Sequence, residues 1–332
     1  MTQKNAYESA PLLELIAKAG VDESFVSRLR GLTEVRLPAG AVEYLRTDHP
    51  HLLALRDKYR VLRCAALEHS QWSDSYVASQ VPLQAFRGDC GYLYQHRDLN
   101  LPVTYLLTFY YLQADGKLPL IDKLTEDDLF GAYVLEVDGR QISRDRLDSA
   151  CEISFIESIL RVTRRSCYRI IDIGSGYGRL AHRLVQAMDN IYVTCVDAVP
   201  ESTFICNYYL HFRGVHSRAK AIPLSDFLES FPQLQFDLAV NIHSFSECTS
   251  CAVSWWLEVL RQMKVPSLLI VPNADGGGQL LTTEADRSRN DFEQLIVEHG
   301  YELVLKKPKY AEPLLQRYGV TPTQYFLFEL RK

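Results

Sequence analysis

Two carboxylates, one imidazole and a run of glycines carry the chemistry legible in this chain. Asp172 lies in the apolar run YRIIDI, two residues before the turn G-S-G-Y-G at 174–178. Glycines 174, 176 and 178 permit positive φ and a close approach of backbone to ligand. A dinucleotide fingerprint reads G-x-G-x-x-G, but here Arg179 takes the place of the third glycine. A carboxylate beside the turn would repel a pyrophosphate and suits a ligand bearing an ammonium group. Asp197 follows 25 residues later at the end of the next apolar run, where an acid can accept both ribose hydroxyls. One acid for an amine and one for a ribose describe S-adenosylmethionine. The blander alternative makes Asp172 a turn cap and Asp197 a surface acid, and the combined pattern argues against it.

The second motif is FDLAVNIHSFSEC, 236–248, an apolar run that ends in Asn241, His243, Ser244, Ser246 and Glu247. A strand that only filled a core would end in turn residues. Open α/β sheets bind ligands outside the carboxyl ends of their strands, so His243 is expected beside the reacting atom. A sugar hydroxyl resembles water, whose pKa is about 15.7. It needs a base as it attacks, and a positioned imidazole contributes roughly 10²–10⁴-fold. His243 is therefore the expected general base; the alternative is a hydrogen-bonded structural histidine. Glu247 has two readings that are not exclusive. With Ser244 it fits an S-x-x-E capping box for the following helix, and one turn from His243 it could orient the ring as a catalytic partner.

The composition is that of a globular chain: 332 residues, 47% hydrophobic and 23% charged. A net charge of −5 gives no electrostatic reason to expect nucleic acid or an anionic membrane as partner. Apolar stretches fall short of the roughly 20 residues of a membrane span, and the N-terminus shows no signal-peptide core. The eight cysteines are scattered, several in apolar runs, which suits a reducing compartment. A cytoplasmic protein is expected. Cys248 and Cys251 form a lone C-x-x-C without the second pair that a structural zinc site needs.

These motifs need strands to carry them. Apolar runs at 168–173, 191–197, 218–222, 236–242, 267–272, 301–307 and 324–330 alternate, for the most part, with helix-like segments such as GRLAHRLVQAM and SCAVSWWLEVLRQM. That rhythm predicts an α/β, doubly wound sheet, parallel for its first five strands. The last two runs have no long helix between them and are expected to pair as an antiparallel hairpin. Residues 1–150 lack this rhythm. They carry helical patterns (LLELIAKAG, ESFVSRLR) and many tyrosines, and are expected to form a mainly helical cap, with residues 151–332 forming the cofactor-binding domain.

D-I-G-S-G-Y-G followed by V-D-A resembles the class I S-adenosylmethionine-dependent methyltransferases. The resemblance implies a Rossmann-like seven-stranded sheet with an antiparallel C-terminal hairpin. It implies that Gly174, Ser175 and Gly176 pass the methionine moiety, that Asp172 faces its amino group and that Asp197 faces the ribose. Ile222, Pro223 and Leu224 would lie beside the adenine, with the usual acid displaced to Asp226; Ala198 and Asn241 are assigned to the same cofactor site. Longer stretches resemble the bacterial sugar O-methyltransferase family. They are FRGDCGYLYQ (86–95), VDGRQISRDRLDSACEI (137–153), DIGSGYGRLAHRL (172–184), VDAVPESTFICNYYL (196–210), FDLAVNIHSFSEC, IVPN (270–273), QRYG and QYFLF. That likeness implies O-methylation of a small hydroxyl acceptor.

Arg87, Asp89, Tyr92, Tyr94 and Gln95, with Asn273 after the fifth strand, are the candidate acceptor residues. Aromatic faces with a few polar groups are what a small-molecule pocket requires. The alternative is a tyrosine-rich core. Asp275, Asp197 and the Asp127-Asp128 pair form no compact oxygen cluster, so metal independence is expected. Two other functions stay open: O-methylation of a phenol such as a tyrosine derivative, which needs less help from a base, and a non-catalytic cofactor-binding protein, which would not need His243. The partners expected are a small molecule rather than nucleic acid or membrane, and a homodimer is left open.

Overall fold

The computed structural model describes residues 35–68, 71–92, 100–274 and 277–331. The patterns LLELIAKAG and ESFVSRLR lie outside the described residues. Among the described residues, five α-helices precede the first strand: α1 (Ala41–Tyr44), α2 (Pro50–Val61), α3 (Asp74–Gln80), α4 (Asn100–Ala114) and α5 (Leu118–Lys123). A two-stranded hairpin follows, β1 (Leu135–Val137) and β2 (Arg140–Ile142), and then α6 (Arg144–Leu160). The hairpin is an addition to the mainly helical cap expected from sequence. Its loop is Asp138-Gly139, both at positive φ, as a two-residue turn between twisted strands requires.

Seven strands make the main sheet: β3 (Tyr168–Ile173), β4 (Ile191–Val196), β5 (Ala219–Ala221), β6 (Leu238–Ile242), β7 (Ser267–Val271), β8 (Tyr301–Pro308) and β9 (Gln324–Leu330). Their order is β5-β4-β3-β6-β7-β9-β8. The first five are parallel; β9 runs antiparallel between β7 and β8. This is the seven-stranded class I methyltransferase arrangement. The helices that return the parallel strands are α7 (Arg179–Ala187), α8 (Pro200–Phe212), α9 (Leu224–Ser230) and α10 (Ser250–Gln262); α11 (Glu293–Glu298) precedes β8 and α12 (Pro313–Tyr318) precedes β9. The reversal of strand order between β3 and β6 opens the crevice where such sheets bind ligands.

Both faces of the sheet are covered, which is why its parallel strands read as near-continuous apolar runs. Ile170 and Leu238 pack on one side with Leu184 of α7 and Ile153 of α6. Ile171 and Ile173 pack on the other with Phe204 of α8, Leu257 of α10 and Leu52 of α2. The cap therefore shares both cores with the sheet. Residue 150, the expected boundary, falls inside α6, which runs unbroken from Arg144 to Leu160. No helix among the described residues is long and apolar enough to cross a membrane.

Candidate active site

The glycine turn and the end of β6 meet because both end on the same rim of the sheet. Gly174 sits at φ +67, and a Cβ added to it would fall 2.1 Å from Ser244 Oγ. Only glycine fits that contact. Asn241, wholly buried, joins the two loops: its amide donates to Ile173 O at 2.9 Å, and its Oδ1 accepts from Phe245 N at 2.9 Å. It is not among the residues that line the cavity, and its two bonds hold the loops together.

Past Asn241 the chain turns through His243, whose φ of 70° and ψ of −35° lie outside the relaxed regions for a side-chain-bearing residue. Such strain costs on the order of 1–3 kcal/mol and persists only where its surroundings impose it. Here His243 N donates to Val271 O at 2.7 Å and His243 O accepts from Ser246 N at 2.9 Å. Both ring nitrogens are buried and find no partner in the protein. Burial lowers the imidazole pKa to about 3; Asp148 opposes this, while Arg144, Lys309 and Arg179 add to it. The ring is thus neutral at physiological pH and can accept a proton.

The cavity it faces, about 120 Å³, is bounded by Asp172, Gly174, Ser175, Gly176, Asp197 and Ala198 on the glycine side. On the other side stand His243, Glu247, Cys248, Trp72, Tyr92 and Trp256. Asp172 is buried, and desolvation pushes its carboxyl up to about 8, with Glu152 and Asp197 adding to the rise and Arg179 opposing it. A cation placed beside it would restore the carboxylate. Burial raises Asp197 to about 6 against the hydrogen bonds that favour its ionised form. Its Oδ1 accepts from Val199 N at 2.8 Å and its Oδ2 from Gly176 N at 2.9 Å, and Ser202 and Ala198 also favour its ionised form. An acid awaiting a cation, a second acid on the cavity wall and a backbone cradle closed to any Cβ fit S-adenosylmethionine.

Glu247 does not form the expected capping box. The helix after β6 begins at Ser250, and its cap is Thr249, whose hydroxyl accepts from Ala252 N. Residues 244–247 form a separate 3₁₀ turn. Glu247 instead accepts from Trp72 Nε1 at 2.8 Å and from Asn273 Nδ2 at 3.2 Å. No hydrogen bond links it to His243, so the expected orientation of the ring by Glu247 is corrected as well. Asn273 acts through this bond, since it does not itself line the cavity.

The other acceptor candidates divide. Tyr92 lines the cavity, stacks on Trp72 with ring centroids 5.4 Å apart, and bonds Ser202 Oγ at 2.8 Å. Arg87 lies elsewhere: its buried guanidinium pairs with Glu126, Asp127 and Asp145, and Arg183 and Arg213 extend this network to α7 and α8. It fastens the cap to the sheet domain. Asp89 is exposed and is not part of the wall. Tyr94, Gln95 and Asp275 lie outside the described residues. Pro223 and Leu224 do not line the cavity either; Leu224 N donates to Tyr59 Oη at 2.9 Å. Asp226 pairs with Lys58. Asp127 is engaged by Arg87 and Arg213 and Asp128 by Arg36, so neither is placed to share a metal with Asp197. Among the described residues no cluster of three His, Cys, Asp or Glu could hold a metal ion.

Several site residues escaped the sequence reading. Arg144 reaches the cavity wall from the start of α6. Asp148, one turn on, is buried against Lys309, Arg179 and Arg144; burial alone would raise its pKa, but these cations hold it well below the usual carboxylate range. Arg179, at the missing third-glycine position, binds Glu152 through both nitrogens at 2.8 and 3.0 Å. The i, i+4 spacing of Arg144, Asp148 and Glu152 was the signal available.

No protein-family model matches the chain. It is 22% identical over 163 residues to the ribosomal RNA small subunit methyltransferase G of Methylibium petroleiphilum, which is 47% of this chain and 71% of that protein. Among solved structures it is similar to the mitomycin 7-O-methyltransferase MmcR, with TM-score 0.40, 14% identity and 56% of each chain covered. It is similar also to an S-adenosylmethionine-dependent methyltransferase from Clostridium acetobutylicum, with TM-score 0.40, 12% identity, and 56% of this chain and 93% of that one covered. The chain thus spans just over half the length of MmcR.

Proposed function

We propose, from the premise that this chain is an S-adenosylmethionine-dependent methyltransferase of the class I fold, that it methylates a hydroxyl of a small polar metabolite, a sugar first. The observation that carries this reading is His243: a strained residue on the cavity wall whose two ring nitrogens are buried without a partner. Buried polar atoms without partners are rare and call for a reason. A substrate hydroxyl donating to one of them supplies it.

Bound cofactor supplies a methyl group activated on a sulfonium. Asp172 would balance the ammonium of that ligand and Asp197 would accept from its ribose. His243 would take the hydroxyl proton of the acceptor as the methyl group passed to that oxygen and the sulfonium became a neutral thioether. The wall formed by Trp72, Tyr92 and Glu247 supports a polyol: aromatic faces for its apolar surface and a fixed carboxylate for a second hydroxyl. The net charge of −5 favours a small acceptor over nucleic acid.

The depressed basicity of His243 sets the size of its contribution. General-base efficiency is greatest when the pKa lies near the working pH, so an imidazole near 3 belongs at the lower end of the 10²–10⁴-fold range. His243→Gln should retain the affinity for S-adenosylhomocysteine and lose about 100-fold in turnover. A loss of two- or three-fold would refute the base. The same low basicity favours a second reading, a phenolic acceptor, whose pKa of about 10 demands less of the base. Labelled cofactor offered with nucleotide sugars, glycosylated intermediates, tyrosine derivatives and RNA, followed by mass analysis, separates these; a labelled RNA alone would overturn both.

A further inference from the structure

The charges behind the cavity wall do not balance. Arg179 binds Glu152 through two nitrogens, and Lys309 holds Asp148 Oδ1. Arg144 is the third cation of this group and has no carboxylate of its own. It begins α6 and reaches the cavity with a side chain only 16% exposed. Among the described residues the one carboxylate within ion-pair range of it is Asp148, whose Oδ2 lies 3.7 Å away, beyond hydrogen-bond reach. That oxygen accepts no hydrogen bond, and no acceptor meets the Arg144 guanidinium among the described residues.

A guanidinium carries five donors in a planar fork that matches the paired oxygens of a carboxylate or a phosphate. Held at a cavity wall and largely withdrawn from water, it is costly to leave unmet. Its place in the cavity follows from the charges around it. Beyond the burial that lowers its pKa, His243 feels Asp148, Arg144, Lys309 and Arg179. Beyond the burial that raises its own, Asp172 feels Arg179, Glu152 and Asp197, and not Arg144. The cofactor carboxylate shares a carbon atom with the cofactor ammonium, so it stays at the Asp172 end. Arg144 stands at the His243 end, where the acceptor enters.

We infer that Arg144 binds an anionic group of the acceptor, so that the substrate is an acid, a carboxylate or a phosphate ester, bearing the hydroxyl to be methylated. The inference rests on the proposed function and deepens it by naming the charge of the acceptor. The bound anion gives Arg144 the counter-charge that Asp148, shared with Lys309 and Arg179, does not supply. A neutral sugar would close the site over an unpaired cation, and that penalty discriminates against it.

The test is a ligand-detected NMR titration of the full chain saturated with S-adenosylhomocysteine, using D-glucuronate, D-glucose 6-phosphate and D-glucose as probes. The parent should bind one of the two anions at least about 10-fold more tightly than glucose, as charge-assisted hydrogen bonds supply. Which anion binds separates a carboxylate from a phosphate. Arg144→Gln should bring that anion within about three-fold of glucose and keep its S-adenosylhomocysteine affinity within about three-fold of the parent. Arg144→Lys keeps the charge without the fork; it should bind the anion more weakly than the parent and carries the test if the glutamine variant melts early. Equal binding of all three probes by the parent would overturn the inference and leave the methyl-transfer reading intact. So would an anion affinity unchanged in either variant, or a roughly 10-fold loss of S-adenosylhomocysteine in a folded Arg144→Gln, which would assign the guanidinium to the cofactor carboxylate. A parent chain that binds no S-adenosylhomocysteine would overturn both.

Discussion

Asp172 sets the stability of the protein against its affinity for ligand, and Asp172→Asn measures both. Burial raises the carboxyl from 3.8 to about 8, so at pH 7 the folded chain holds a proton that the unfolded chain has released. Roughly three pH units at about 1.4 kcal/mol each come to about 4 kcal/mol against folding. For a raised carboxyl, the stabilising contribution is complete below about pH 4 and is lost as the pH rises through about 8. Asparagine keeps the shape and cannot ionise. Recovery of even half that cost, about 2 kcal/mol, should raise the melting temperature by about 3 °C and flatten its fall between pH 5 and about 8. The same change removes the partner of the cofactor ammonium. Loss of a charged hydrogen bond of about 1.5–3 kcal/mol weakens S-adenosylhomocysteine by roughly 10- to 100-fold. In the parent, binding at pH 7 should release close to one proton, seen as a dependence of the titration heat on the buffer; in the variant it should release none. A variant that melts lower than the parent, or parent binding with no proton release, would refute the argument.

Other outcomes follow from neighbouring contacts. Asn241→Leu removes both bonds that join the glycine turn to the His243 turn; it should cost about 2–3 kcal/mol in urea unfolding and lower turnover at least 10-fold. Lys309→Met leaves Asp148 buried without its nearest cation, and chemical denaturation should show a loss of about 3–5 kcal/mol. A change under 1 kcal/mol would mean that Arg144 and Arg179 suffice. Turnover should be unaffected by excess EDTA and not increased by added magnesium, as read by methyl transfer to acceptor.

The sheet was legible because its strands are buried on both faces and so read as unbroken apolar runs. Strands at 168–173 and 324–330 occur with the expected bounds, and the others differ by a residue or two at their ends. The Asp138-Gly139 hairpin carried a readable two-residue turn signal, yet its strands are three residues each, too short for an alternating pattern to emerge. Glu247 fitted a capping box by spacing alone. Spacing cannot tell a serine that begins a helix from one in a tight turn before it, and Thr249 proved the cap. Arg87 sat among tyrosines in a stretch that read as a pocket; what takes it away is the convergence of Glu126, Asp127 and Asp145 from other parts of the chain.

The sequence by itself determined the order of strands and helices, the glycine turn and the presence of Asp172, Asp197 and His243 on one rim, because each of these depends on residues close together in the chain. The tertiary structure decided which groups surround them. Trp72 reaches Glu247 across 175 positions, and Lys309 reaches Asp148 across 161. Tyr59 closes the wall after β5 from 165 positions away. The basicity of His243 and the acidity of Asp172 follow from the water such distant segments exclude, and no local pattern records that exclusion.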